Sequence, residues 1–510
     1  MTNVALHDEK SPRPRPGKRA DQREEASLAG AGDGSLLEPD ATLLDAGRPL
    51  RRWRLGLSLL ACAVGLGLGV WRAPSLREAV FGATGARFAA EPAPPIAALS
   101  PTLGVDAATA PPLPALPLAA ARAALELAGA GDNGPIGWDP HTGLWGHHSK
   151  PAWWQSALDL RALVRYLERS GDSDARYQKL IQTVYAKNIS LPDTNMPHDF
   201  ENQFMDDTGW WGLAWLEASR YEANQRHDIP QALRYLRLAE RDAAYVYTRP
   251  RPCHSQGIEW QVNYPPDTIT NAEFVALAAQ LSALRADPQG PFYDPANAAV
   301  QLSEARSILA WLQSSGLVDM ARGAVTDSYD GHCRLTGGPI TYTEGEMAEA
   351  LTQMGRATGD SSYYALATGF FNYVLSPRSG MLGDGLLQEP CESHTGLCAT
   401  AHRAYDATVY KGLFVDAVAD WRAATGAATY DGFLATQARA VLANSSSDGH
   451  ALTPCTSPHT CQLGFYWSRR VPPSRAPMPP SNGTQESALS ALTDALPVAR
   501  RTPARATSHG

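Results

Sequence analysis

Two carboxylates stand side by side at Asp206 and Asp207, in the stretch FMDDTGWWGLAW. Two carboxyl groups about 5 Å apart can cleave a glycosidic bond with retention, one as nucleophile and one as acid and base. That chemistry needs one group ionised and the other protonated near neutral pH. Adjacency favours the protonated partner, because like charges repel and raise one pKa. Apolar periodicity begins just after the pair, at Trp210 and Trp211, so the pair falls where a helix starts. A helix N-terminus stabilises an ionised carboxylate and so favours the other partner. The same position also suits a helix cap and a first-turn acid with no chemistry at all. The pair therefore permits the reaction without demanding it.

Other residues can be weighed around this pair. Trp210 and Trp211 point about 100° apart on a helix, so one can line a cleft while the other fills the core. Glu259 and Trp260 precede a later helix, in a loop, where binding residues concentrate. They are candidates for substrate contact, against a plain role in loop packing. Tyr342, Glu344 and Asp384 are further cleft candidates. His141, His147 and His148 have no carboxylate or cysteine at ligand spacing, and they read as a solvated loop rather than a metal site. Asp327-Ser-Tyr-Asp330-Gly331 lacks the spacing of a calcium loop. No Gly-x-Ser-x-Gly elbow, His-Glu-x-x-His or phosphate-binding loop is present.

The elements that must position these residues are helices. In AWWQSALDLRALVRYLERS, the residues Ala157, Leu160, Val164 and Leu167 recur at spacings of three and four. The same periodicity predicts helices near 113–129, 152–170, 174–188, 206–225, 230–246, 269–286, 296–314, 343–358, 361–376, 405–424, 428–443 and 484–497. Alternating runs of Val and Ile, the mark of strands, are scarce. Short Gly-Asp turns such as Ser170-Gly171-Asp172 and Thr358-Gly359-Asp360 split helix pairs, and longer joints carry Trp, Asp, Gly and Cys. The predicted fold is all-α, six helical hairpins closed as an (α/α)6 barrel over residues 113–500. Such a barrel gathers its long loops at one end and forms a cleft there.

Composition agrees with a large buried core. The chain has 510 residues, 44% hydrophobic and 19% charged, with a formal net charge of -8. That balance lacks the basic footprint of a nucleic-acid binder. Thirteen Trp and 18 Tyr suit both sugar stacking and core filling. Residues 1–50 are polar and Pro-, Gly- and Ala-rich, and read as a disordered tail. Arg51, Arg52 and Arg54 lead into an uncharged run of 17 residues ending at Trp71. A membrane span needs roughly 17 to 25, so 51–72 reads as a short signal anchor with a cytoplasmic N-terminus. A cleaved signal peptide is the alternative. The Ala/Pro-rich stretch 73–112 reads as a spacer, and 501–510 as a disordered end. The domain is therefore expected outside the cytoplasm: periplasmic, cell-surface, or secreted if cleaved. Six cysteines follow the anchor, which suits an oxidising compartment. Short loops favour Cys391 with Cys398 and Cys455 with Cys461, leaving Cys253 with Cys333.

Several segments together resemble glycoside hydrolase family 76, the endo-α-1,6-mannanase family. LWGHHSKPAWWQSALDL is similar to that family's first Trp-rich helix region, and MDDTGWWGLAWLEA fits its Asp-Asp-x-x-Trp-Trp signature. GIEWQVNYPPDTITNAEFVALAAQL resembles its Gly-Ile-x-Trp segment and the Asn-led helix after it. TYTEGEMAEAL, DGLLQEPC and YDATVYKGLF resemble its later elements, so the likeness covers roughly 140 to 495. The resemblance implies an (α/α)6 barrel, retaining hydrolysis of α-1,6-linked mannan, no metal and no cofactor. It implies Asp206 as nucleophile and Asp207 as general acid and base. Two departures touch substrate identity: PPDTITNAEF keeps Asn271 but loses a basic residue, and Thr343-Glu344 replaces a usual Asn-Gln. The partner implied is a polysaccharide or oligosaccharide. Two other readings stay open, a transglycosidase with the same site and a non-catalytic glycan-binding barrel.

Overall fold

The computed structural model describes residues 115–129, 137–147, 150–189, 199–253, 256–393, 403–444, 462–467, 478 and 480–497. The tail at 1–50, the expected anchor at 51–72, the spacer at 73–112 and the end at 501–510 lie outside them. Among the described residues, no helix is long and apolar enough to cross a membrane.

Twelve helices of 12 residues or more follow one another among the described residues. They are α1 (Leu116–Leu127), α2 (Trp153–Ser170), α3 (Ala175–Asn188), α4 (Met205–Tyr221), α5 (Ile229–Tyr247), α6 (Thr268–Ala286), α7 (Pro295–Ser315), α8 (Thr341–Thr358), α9 (Ser362–Val374), α10 (Arg403–Thr425), α11 (Asp431–Asn444) and α12 (Asn482–Asp494). Their ends follow local chemistry. The side chains of Asp174, Asp228, Asp267 and Asp294 each accept a backbone N–H at a helix start. Gly171, Gly316 and Gly359 close helices in the left-handed conformation. The strands are antiparallel pieces of two to four residues in the joints.

Helices α2, α4, α6, α8, α10 and α12 pack each on the next, and α12 packs back on α2, so they close a ring. The helices α5, α7 and α9 each pack on the inner helix before them, and α1 lies on α12 and α2. Inner and outer helices differ in sequence for this reason. Helix α5 buries one apolar stripe, the pattern of an element with one wet face. Helix α12 is buried along its whole length, although it reads NGTQESALSALTD. Gly412 lets α10 approach it closely, since a Cβ there would meet the Cα of Ser487 at 2.6 Å.

The ring encloses charge as well as apolar surface. On α2, Arg161, Arg165 and Arg169 recur every four residues along one face. Arg161 bonds Glu217 of α4 at 2.9 Å, and Arg165 reaches Glu217, Asp416 and Asp420 of α10, and Asp494 of α12. Arg169 pairs with Asp420 and Asp494. Because α2 and α10 are not ring neighbours, contacts between them place these groups inside the barrel. Between α2, α4 and the outer layer lies an aromatic cluster of Trp153, Tyr185, Phe200, Trp211, Trp215 and Tyr235.

Candidate active site

The pair lies in the first turn of α4, which begins at Met205 with no side-chain cap from Phe204. The carboxylate Oδ1 of Asp206 accepts the backbone N–H of Asp207 at 3.0 Å, and its Oδ2 accepts the indole N–H of Trp260 at 3.0 Å. The carboxyl of Asp207 has a different environment. Its Oδ2 accepts from the Asn202 amide nitrogen at 2.5 Å. The backbone N–H of Phe204 donates to Asn202 Oδ1 at 2.8 Å and so fixes which end of that amide faces Asp207.

These surroundings separate the two acids. Burial raises Asp206, the Trp260 and backbone N–H bonds pull it down, and the result is about 6. Burial pushes Asp207 further, and the charge of Asp206 adds to it, against the single Asn202 bond. The two titrate as a pair, in which burial and the Asp206 charge favour the protonated form of Asp207, and the hydrogen bonds to Asp206 favour its anion. An ionised carboxylate beside a protonated carboxyl can attack a carbon centre while its neighbour gives a proton to the departing oxygen.

Trp260 is held in place by its loop. The backbone N–H of Met205 donates to Trp260 O at 2.8 Å, and that of Val262 to Gln203 O at 2.9 Å. The loop is fixed by residues the sequence offered as substrate contacts. Glu259 is buried, and its Oε2 accepts the N–H of Asn263, which sits at φ +68°. Asn271 is buried in α6, where its amide accepts from Ile258 N–H and donates to the carbonyls of Ile258 and Asp267. At Gly257, a Cβ would meet the Trp311 ring at 2.2 Å. A disulfide joins Cys253 to Cys333 and so ties this loop to the hairpin Ser328–Tyr329/Leu335–Thr336. Cys391 is also disulfide-bonded, while Cys398, Cys455 and Cys461 lie outside the described residues.

Above the pair opens a cleft of about 1050 Å³. Asp206, Asp207, Trp210, Trp260 and Tyr342 line it. Trp211 is instead buried in the aromatic cluster, against Trp153 and Phe200. The structure does not bring Glu259, Asn271, Glu344 or Asp384 into the cleft wall. Glu259 and Asn271 serve the loop, for the reasons given. Glu344 turns into the core, where its Oε1 accepts Val325 N–H and burial lifts its pKa to about 8. Asp384 sits at φ +53° in the turn of the hairpin Leu382–Gly383/Leu386–Leu387.

The wall includes residues that sequence reasoning missed. Trp154, Tyr264, Asp267, Asp327, Glu389, Asp406 and Tyr410 line the same cleft. Asp267 reads locally as the cap of α6, and it is one, yet its buried carboxyl also feels the charge of Asp206. Tyr410 stacks on Tyr342 with centroids 4.0 Å apart. Its neighbour Lys411 is buried, donating to Glu392 Oε1 at 2.7 Å, which also accepts the N–H of Glu389. Glu389 in turn accepts from Thr341. Among the described lining residues, six are acids and none is Lys, Arg or His. The described part of the wall is thus acidic or neutral, which suits neutral or cationic ligands.

Trp260→Phe isolates one part of this site. The substitution keeps a ring beside Phe204 and Tyr264 but removes the N–H that stabilises the Asp206 anion. The Asp206 pKa rises, so any turnover that requires the Asp206 anion should be lost at higher pH than in the parent. The pH profile of kcat checks this, with a larger loss at pH 5.5 than at pH 7.5 expected.

The described helices close an all-α barrel with a carboxylate-lined cleft. The chain belongs to glycosyl hydrolase family 76, whose model matches residues 137–503. No curated protein matches the chain. Among solved structures it is similar to the α-1,6-mannanase GH76A of Salegentibacter sp. HEL1_6, at 19% identity and a TM-score of 0.56, over 75% of this chain and 99% of that one. The structure matched is an inactive variant with two adjacent aspartates changed to asparagine, bound to α-1,6-mannotriose. It is also similar to Dfg5 from Chaetomium thermophilum, in complex with glucosamine, at 21% identity and 0.56, over 75% and 90%. A third is the Lin0763 protein of Listeria innocua, at 18% identity and 0.55, over 74% and 96%. At these identities the likeness establishes the fold.

Proposed function

We propose that this chain is a retaining, endo-acting α-mannosidase that cleaves α-1,6-linked mannan or a related mannose-containing glycan. The observation that carries the reading is the adjacent pair Asp206 and Asp207 lining one cleft, with Asp206 held by the Trp260 N–H and Asp207 by the Asn202 amide. In the first step, Asp206 Oδ attacks the anomeric carbon and the bond to the leaving oxygen breaks. The proton of Asp207 goes to that oxygen, and a glycosyl ester of Asp206 forms. In the second step, Asp207, now ionised, takes a proton from water as the water oxygen attacks the same carbon. The ester bond breaks, and Asp206 returns as carboxylate with Asp207 protonated. Two inversions leave the configuration unchanged.

Among the described lining residues none is Lys, Arg or His, which supports a neutral glycan over a phosphorylated one. The α-1,6-mannotriose bound by the Salegentibacter enzyme supports the linkage. The disulfide Cys253–Cys333 supports action in an oxidising compartment, with residues 51–72 as the proposed anchor.

The full chain, incubated with unbranched α-1,6-mannan, is expected to release reducing ends whose first-formed anomer is α by proton NMR. A β-anomer formed first would overturn the retaining mechanism. Absence of cleavage, with cleavage of another glycan in a panel, would overturn the linkage.

A further inference from the structure

Tyr264 differs from the other aromatic residues of the cleft in being half in solvent. Six large hydrophobic side chains are exposed among the described residues, and of these Tyr264 alone, at 50%, lines the cleft. Its backbone is fixed. The N–H of Tyr264 donates to Gln261 O at 2.8 Å, Trp260 N–H donates to Pro265 O at 3.2 Å, and Pro265 and Pro266 follow. Its ring meets Trp260 edge to face, with centroids 5.9 Å apart and an interplanar angle of 84°. Among the described residues, no other ring contact covers it. A rigid aromatic presented to water at a cleft mouth loses little entropy on binding, and its apolar face matches the C–H face of a pyranose.

Trp260 touches both Tyr264, ring to ring, and Asp206, through its N–H. Tyr264 thus reaches Asp206 through Trp260, so a sugar stacked on its ring binds beside the pair rather than on it. We propose that Tyr264 is the platform of an outer sugar-binding subsite. It takes a neutral pyranose at least one unit removed from the scissile bond, and it makes the enzyme favour long chains over short ones. This inference rests on the proposed glycoside cleavage for its kinetic form, but not for its binding form.

The rival role for Tyr264 is to brace Trp260, and the two roles separate in measurement. For the platform, Tyr264→Ala raises KM on chains of six or more mannose units about five- to tenfold. It leaves kcat, the acid limb of the pH profile and cleavage of the shortest substrate unchanged, and Tyr264→Trp restores KM. Equal losses on short and long substrates, or an upward shift of the acid limb, would overturn it in favour of the brace. Titration calorimetry on the Asp206→Asn/Asp207→Asn chain gives the second measurement. Added Tyr264→Ala should weaken mannohexaose binding five- to tenfold and leave mannobiose unaffected. If the unmodified chain cleaves no α-1,6-mannan, the functional reading fails while this titration still decides the subsite. Equal hexaose affinity with and without Tyr264, or no hexaose binding in either, would overturn the subsite.

Discussion

Asp206→Asn should abolish turnover on mannan, lowering kcat by more than about 10⁴-fold, as loss of a nucleophile does in enzymes whose groups act as a unit. Asp207→Asn should cost about 10²- to 10⁴-fold on the same substrate, the range for a lost general acid. The two variants should then part company. With an activated aryl α-mannoside, whose leaving group needs no proton, the Asp207 variant should still form the glycosyl ester and stall there. Azide, which attacks without a base, should release it as the α-mannosyl azide. The Asp206 variant should give no retained product with azide. Stopped-flow release of the aryl group and NMR of the azide product check both. A retained azide product from the Asp206 variant, and none from the Asp207 variant, would exchange the two roles.

The same substitutions should raise stability. Both carboxyls sit above the ordinary carboxylate range, so the folded chain holds protons that the unfolded chain releases. For a raised acid, stability falls as pH climbs from the unfolded pKa, about 3.9, through the folded value, about 6 for Asp206. Asparagine carries no such penalty. The melting temperature of either variant should exceed that of the parent at pH 7.5, and the gap should close toward pH 4.

The second large effect lies at the barrel interior. Arg165→Met should destabilise the chain by ~3–5 kcal/mol, the cost of breaking a buried ion pair from one side. The reason is the number of acids that Arg165 serves. Its guanidinium lies within 3.6 Å of Glu217, Asp416, Asp420 and Asp494, which come from three other inner helices. Arg165→Lys should recover only part of the loss, because an ammonium cannot present a planar fork to several carboxylates. Equilibrium unfolding in urea measures both. The neighbouring arginines hold Asp420 well below the usual carboxylate range. A depressed acid stabilises the fold above its unfolded pKa and loses that contribution as pH falls through the folded one. The gap between parent and Arg165→Met should therefore narrow in acid. A loss below about 1 kcal/mol at pH 7 would show that water already screens the network.

Much of this architecture is legible in the sequence, for identifiable reasons. Outer helices such as α5 carry one apolar stripe, and periodicity locates them directly. The Asp206-Asp207 pair is visible because its two members are adjacent in the chain. The remaining acids of the cleft are not, since Asp267, Asp327, Glu389 and Asp406 lie apart in the chain, on different joints and helices, and meet only in the fold. Asp267 is further disguised by its role as a cap. Glu259 and Asn271 mislead in the opposite direction. Polar residues in and beside a loop near a site suggest ligand contact, whereas here their hydrogen bonds go to the loop's own backbone. The interior charges are hidden by the usual rule that polar faces are wet. Along α2, Arg161 is only 2% exposed and Arg165 5%.

The ring is closed by its last helix meeting its first. Asn482, at the start of α12, donates to Asp159 and Gln155 of α2, more than 320 residues earlier, and Gln485 donates to Ala123 O of α1. Chain order therefore sets a timetable. During synthesis, α2 to α10 can pair with their neighbours as they emerge, but the seam between α10 and α2 stays open until residues 482–494 have left the ribosome. Until then the apolar flanks of both helices and the interior arginines are without their last partner. Such late, long-range closure slows folding and leaves a window in which the incomplete barrel can aggregate. A nascent chain stalled before Asn482 should be cut readily by protease, and completing it should confer resistance in a single step.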